Sequence, residues 1–247
     1  MINLVIDIGN TFSKLAIFNN RVIKSVVQID NLSAHYLRDF LEETLVDNSV
    51  ISSVNTEIED FEALLKSKTN YFRFTGSSSS KIINHYKTPQ TLGLDRYAAI
   101  IGAESLYPGQ NCLVIDAGSC VTYDFVDADK NYRGGSITPG ISMRLKAMHR
   151  FTSRLPLIEP DPDMDLEYGN DTSSAILSGV QKGIIYEATG FINSFYTKWT
   201  DLKVLLCGGD VNFFDTALKS SIFAHTLKTE PHLVLIGLNE VILYNND

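Results

Sequence analysis

Apolar and polar positions along the chain fall into two rhythms, one of strands and one of helices. Residues 3–8 are almost all β-favouring and end at the turn pair Gly9-Asn10. Residues 12–18 (FSKLAIF) resume the strand pattern, Asn19-Asn20 turns the chain again, and residues 21–29 follow, which predicts a three-strand meander. Tyr36, Leu37, Phe40, Leu41 and Leu45 recur at helical spacing across residues 33–45. The same reading predicts strands at 50–54 and 71–74, a helix at 57–66, and a loop at 76–80 (GSSSS). An alanine-rich helix is predicted over 94–106, stopped by Pro108-Gly109, then strands at 112–116 (CLVID) and 121–126. Residues 134–140 (GGSITPG) read as a loop or short strand, 141–151 as a helix, and the Pro- and Asp-rich stretch 156–165 as a surface loop. Residues 172–199 predict a long helical region interrupted at Gly179, Gly183 or Gly190. A strand at 203–207 (KVLLC) ends in Gly208-Gly209, with a short helix at 212–218 and an amphipathic helix at 233–244.

Composition narrows the classes. The 247 residues are 44% hydrophobic and 20% charged, ordinary values for a chain that buries a core. A net charge of -8 disfavours a general nucleic-acid binder, since an acidic surface repels phosphate backbones. The three cysteines, Cys112, Cys120 and Cys207, form no CxxC pair, and the five histidines show no metal-binding spacing. The N-terminus has no basic segment leading an apolar one, and no apolar run approaches the ~20 residues that span a bilayer. A reducing, cytoplasmic setting is expected, with no membrane partner.

The most informative feature is a repeat. Residues 4–11 read LVIDIGNT and residues 113–120 read LVIDAGSC, and Asp7 and Asp116 stand 109 positions apart. Each copy is a buried strand, an Asp, a Gly and a polar turn, followed by a second strand. A repeat at half-length predicts two related domains, 1–111 and 112–247, facing each other. An Asp at a strand end can hold a divalent cation or its water. Glycine lets backbone approach a phosphate, and turn amides form an anion-binding concavity. Neither GxxxxGK[ST] nor a GxGxxG following a strand occurs. A third element, VLLCGGD at 204–210, supplies a glycine pair suited to lying against adenine and ribose. Taken alone, Asp95 reads as a helix N-cap and Arg96 as a surface residue.

In this order, the two Asp-Gly hairpins and the Gly-Gly strand resemble the acetate kinase, sugar kinase, heat-shock protein and actin superfamily. That resemblance implies an α/β fold of two ribonuclease-H-like (actin-like ATPase) domains across a nucleotide cleft. The combination of DIGNTFSK (7–14), Tyr86 ahead of GLDR (93–96), DAGSCVTYD (116–124), GGSITPG (134–140), Leu155-Pro156 and GNDTSSAILSG (169–179) is similar to type III pantothenate kinase. The resemblance implies ATP-dependent phosphorylation of pantothenate, the first step of coenzyme A biosynthesis. It implies that Asp7, Ile8, Gly9, Asn10, Thr11, Phe12, Ser13, Lys14 and Ser119 bind ATP, with Lys14 facing either phosphate or solvent. Tyr86, Gly93, Leu94, Asp95, Arg96 and Thr172 match pantothenate-contacting positions, with Asp95 as general base. Asp116 matches a monovalent-cation position, for potassium or ammonium, and Asp7 is the candidate for orienting magnesium. Ser119 stands where the family usually has threonine and keeps the hydroxyl. The family also implies a homodimer.

Other features read as structural. Arg144, Lys146, Arg150 and Arg154 suggest a solvated helix face. Asp161, Asp163 and Asp165 alternate like a calcium loop but lack its glycine and glutamate. Ile176, Val180, Ile184, Ile185, Phe191, Ile192 and Phe195 form an apolar stripe suited to core packing first and to a subunit interface second. The alternatives are a sugar or small-acid kinase of the same superfamily, a filament-forming protein, or a non-catalytic actin-like nucleotide-binding regulator. Asp95 speaks against the last.

Overall fold

The computed structural model describes residues 1–9, 12–53, 58–162 and 167–246. From the N-terminus its elements are β1 (Ile2–Ile8), β2 (Ser13–Asn19), β3 (Val22–Ile29), α1 (Ala34–Glu43), β4 (Asn48–Ser53), α2 (Glu59–Lys68), β5 (Asn70–Arg73), β6 (Ile83–Asn84) and α3 (Leu94–Leu106). They continue as β7 (Cys112–Ala117), β8 (Cys120–Val126), β9 (Asn131–Pro139), α4 (Ile141–Arg150), α5 (Thr172–Tyr196), β10 (Lys203–Cys207), α6 (Val211–Lys219), β11 (Leu227–Thr229) and α7 (Leu233–Asn246). By contacts the chain divides into Met1–Pro108 with Lys130–Tyr132 and His232–Asp247, and Gly109–Asp129 with Arg133–Pro231. The expected division at 111/112 differs from this chiefly in the last segment, which groups with the first unit because α7 packs on α3.

In the first unit the strand order is β3-β2-β1-β4-β5. β1 pairs antiparallel with β2, and β2 with β3, while β4 lies parallel to both β1 and β5. Leu4, Ile6, Leu15, Leu37, Ile51 and Leu65 form one core beneath this sheet. At the opposite end from the Asp7 turn, a directed chain of amides crosses the strands. Asn70 donates to Asn48, Asn48 to Asn3, Asn3 to Asn239, and Asn239 to the Asn20 carbonyl. Asn3, Asn48 and Asn239 are buried, so each amide needs such a partner.

α7 is buried on nearly all sides rather than amphipathic. Its polar residues Asn239 and Glu240 are buried with partners, Glu240 accepting twice from Arg21 at 2.7 and 3.0 Å. α3 and α7 meet backbone to backbone. A Cβ on Gly237 would lie 1.8 Å from the Ala98 carbonyl oxygen, and one on Gly102 would lie 2.5 Å from that of Leu233.

In the second unit the strands run β9-β8-β7-β10-β11, the same order relative to chain position as in the first. β7 pairs antiparallel with β8 and parallel with β10. The sequence repeat is therefore a repeat of topology. Of the predicted loop or short strand at 134–140, the strand is observed, as the end of β9, which begins earlier at Asn131. α5 runs unbroken through Gly179, Gly183 and Gly190, contrary to the predicted interruption. Each glycine costs a helix about 1 kcal/mol. Burying each of Ile176, Val180, Ile184 and Ile192 gains roughly 1.5–3 kcal/mol, so packing outweighs propensity. Arg144 departs from the expected solvated face, since it pairs with Glu187 at 2.7 Å and donates to the Pro139 carbonyl. Lys146, Arg150 and Arg154 are exposed.

Candidate active site

The first hairpin places Asp7 at the end of β1, opposite Lys14 on β2 and Ser52 on β4. The Gly9 N–H donates to the Phe12 carbonyl at 3.2 Å and closes the turn. Asn10 and Thr11 lie outside the described residues. Burial first and the charge of Asp95 second push the Asp7 carboxyl up to about 6, against the opposing effects of Lys14 and the Ser52 hydroxyl. The Lys14 ammonium sits 5.5 Å from the centre of the Phe12 ring, on a strand position paired with Asp7. Ser13 is buried, and Ile8 belongs to the core.

α3 starts at Leu94 with Gly93 as its N-cap. The expectation that Asp95 is itself the cap is thus corrected. Asp95 lies in the first turn, where a carboxylate is favoured by the helix dipole, and accepts from the Arg96 N–H at 2.8 Å. A Cβ on Gly93 would come within 2.7 Å of Asp95 Oδ1, so glycine leaves room for the carboxylate. Asp95 is exposed, whereas Arg96 is only 5% exposed and is no surface residue. The Arg96 guanidinium lies 5.7 Å from the centre of the Tyr86 ring, within cation–π range. The Tyr86 N–H donates to Asn84 Oδ1 at 2.9 Å. The first unit therefore gathers two adjacent groups, Asp7 with Lys14 and Asp95, and Arg96 with Tyr86.

In the second unit Asp116 is the last residue but one of β7, opposite Thr122, and Ser119 is exposed at the turn tip. The Gly118 N–H donates to the Cys120 carbonyl, and the Gly140 N–H to that of Ser119. Three residues, 118–120, separate the last pair Ala117↔Val121, against four in the first hairpin between Ile8 and Ser13. Gly208 adopts φ +93, and a Cβ there would lie 2.5 Å from Asp116 Oδ1 and 2.2 Å from the Ala117 carbonyl oxygen. Gly208 thus packs against the Asp116 carboxylate, and of the glycine pair it is Gly209 that has open space beside it. Asp210 begins α6, and burial raises its carboxyl above the ordinary value. Thr172 is the exposed first residue of α5, behind an Asp171–Ser174 capping box.

A family model for type III pantothenate kinases matches residues 3–194. The chain belongs to the type III pantothenate kinase family. A type III pantothenate kinase of Bacteroides fragilis (strain YCH46) is 45% identical over 99% of this chain and 98% of its own. Among solved structures, a candidate Baf family transcriptional activator of Campylobacter jejuni has a TM-score of 0.62 at 23% identity, covering 98% of both chains. A candidate N-acetylmannosamine kinase of Listeria monocytogenes has a TM-score of 0.58 at 12% identity, with both chains fully covered. At such identities these structures establish the fold alone. It is that of the actin-like ATPases and sugar kinases, as the resemblance implied.

As a pantothenate kinase the chain uses ATP with a divalent cation, and its residues suit one. Among the described residues no group of three or more His, Cys, Asp or Glu could hold a metal by itself. Magnesium in kinases is held by one or two carboxylates plus phosphates and water, so Asp7 is sufficient as the protein's share. The raised Asp7 carboxyl beside Asp95 is also the environment that a cation relieves. Two residues escaped the sequence reading. Ser52 reaches Asp7 from a parallel strand whose offset no motif encodes, and Tyr132 stacks on Tyr86 from the start of β9.

Proposed function

We propose that this chain transfers the γ-phosphoryl group of ATP to the primary hydroxyl of pantothenate, giving 4'-phosphopantothenate, the first step of coenzyme A biosynthesis, with Asp95 as general base. The placement of Asp95 carries this reading. It is an exposed carboxylate, fixed by the Arg96 N–H, on the α3 turn that also bears Arg96.

An alcohol is a poor nucleophile at neutral pH. Asp95 accepts the hydroxyl proton as the oxygen attacks the γ-phosphorus in line, and ADP leaves with the electrons of the broken bond. Arg96, steadied by Tyr86, meets the planar carboxylate of pantothenate. Gly93, Leu94 and Thr172 complete the contacts to that substrate. Bound magnesium, oriented by Asp7, would spread the charge that develops on the phosphates. Lys14 faces the Asp7 side of the hairpin, which favours its phosphate role over a solvent one. Residues 8–14 and Ser119 hold the phosphate chain, and Asp116 takes potassium or ammonium. The enzyme works as a cytoplasmic homodimer. A nucleotide-binding regulator is the poorer reading, because it has no use for a base at Asp95.

A coupled ADP-release assay with ATP, magnesium and pantothenate tests the reading. Asp95→Asn should lower kcat by about 10²–10⁴-fold, the usual share of a general base, with ATP binding kept. Equal turnover in both proteins would remove Asp95 as base. A folded, ATP-binding wild type without pantothenate-dependent turnover would overturn the kinase reading.

A further inference from the structure

Tyr132 is fully buried and is the second residue of β9, in a strand to which no substrate contact is assigned above. Its ring is parallel to that of Tyr86, with an interplanar angle of 5° and centroids 6.3 Å apart. It also stacks on Tyr97, the residue after Arg96, at 6.4 Å, and Tyr97 stacks on Phe74 at 5.7 Å. These are offset-stacking distances. Arg96 caps the Tyr86 end of the row.

The backbone around Tyr132 holds the same two substrate elements. β6, which leads into Tyr86, is two residues long, and its one strand partner is Asn131 and Tyr132. A strand this short has no stability of its own. The Ile83 N–H donates to the Lys130 carbonyl at 2.9 Å and the His85 N–H to that of Tyr132 at 2.8 Å. His85 Nε2 and Asn131 Oδ1 are 2.8 Å apart. Lys130, held at φ +67, pairs with Glu104 of α3 at 3.4 Å. A left-handed non-glycine residue persists only where its surroundings over-determine it.

We propose that Tyr132 is a positioning residue for pantothenate binding: it fixes the plane of Tyr86, and through it the guanidinium of Arg96. The proposal rests on the reading of Tyr86 and Arg96 as pantothenate contacts. An ordinary core tyrosine would affect both substrates alike through stability. A positioning tyrosine affects pantothenate alone.

The test is steady-state kinetics on Tyr132→Leu, Tyr132→Phe and Tyr86→Ala, with unfolding curves for each. Tyr132→Leu should raise KM for pantothenate about ten-fold, with kcat and KM for ATP within about two-fold. Tyr132→Phe keeps both stacks and should match wild type. Asn131→Ala, which removes the His85 contact without emptying the core, should raise KM for pantothenate about three-fold, and it serves if Tyr132→Leu does not fold. If Tyr86→Ala raises that KM while the folded Tyr132→Leu or Asn131→Ala leaves it unchanged, the positioning role is wrong and the substrate reading stands. If Tyr86→Ala has no effect, the substrate reading of Tyr86 fails and takes the proposal with it. Equal loss in the Phe and Leu variants would assign the effect to the hydroxyl and overturn the stacking argument.

Discussion

At Asp7, burial and the charge of Asp95 both oppose ionisation, and Lys14 and Ser52 offset them only in part. The unfolded chain ionises this carboxyl near 3.8, the folded chain near 6, so folding takes up a proton between those values. Stability from this group is therefore present below about pH 4 and is lost as pH rises through about 6. The cost at neutral pH is on the order of 3 kcal/mol. Asp7→Asn should accordingly unfold at a higher temperature than wild type in EDTA at pH 7.5, with the gain fading below about pH 4. The same variant should lose magnesium-ATP turnover by at least about 100-fold. Thermal melts across pH, beside the kinase assay, check both halves. A variant less stable than wild type at pH 7.5 would contradict the burial argument.

Among the elements, α5 and α7 make opposite predictions for the same substitution. Nothing lies within 4 Å of a Cβ built on Gly179 or Gly190. Gly179→Ala and Gly190→Ala should each stabilise the protein by about 0.4–1 kcal/mol in denaturant titrations. Gly237→Ala meets the Ala98 carbonyl at 1.8 Å and must push α7 off α3. It should destabilise by roughly 1–3 kcal/mol and lower kcat as well, because α3 carries Asp95. The strands and helices were largely legible, since periodicity reports which face of an element meets the core. α3 was read to its observed bounds, as was β10. What stayed hidden depends on distant partners. The helix at 233–244 read as amphipathic, because the partners that let Asn239 and Glu240 be buried, Asn3 and Arg21, stand more than 200 positions away. β6 and β11 are two and three residues long and exist through pairing alone. In the candidate site, GLDR drew attention to Asp95 and Arg96, but neither the burial of Arg96 nor the row behind Tyr86 was legible.

At the scale of the whole molecule, each unit holds a glutamate, Glu62 in the first and Glu187 in the second, whose ionised form supports the fold. Burial works to raise Glu62, but hydrogen bonds from Tyr71 and Lys66 and the charge of Arg73 hold it below its ordinary value of 4.5. In the second unit, burial at Glu187 is likewise outweighed by Arg144, Thr138 and Tyr123. A lowered carboxyl contributes stability above its unfolded value, and this is lost as pH falls through the folded one. Melting temperature should therefore drop below about pH 4.5, and Glu62→Gln and Glu187→Gln should each flatten that drop while being less stable at pH 7.

The close contact between α3 and α7 also has a consequence for synthesis. Residues 109–231 are all translated before the helix at Leu233–Asn246 exists, yet the first unit needs that helix to cover α3 and to satisfy Asn3. The half of the protein that is made first is thus finished last. Its apolar face must be tolerated on the ribosome meanwhile, and the turn bearing Asp95 has no settled place until residue 246 has been added.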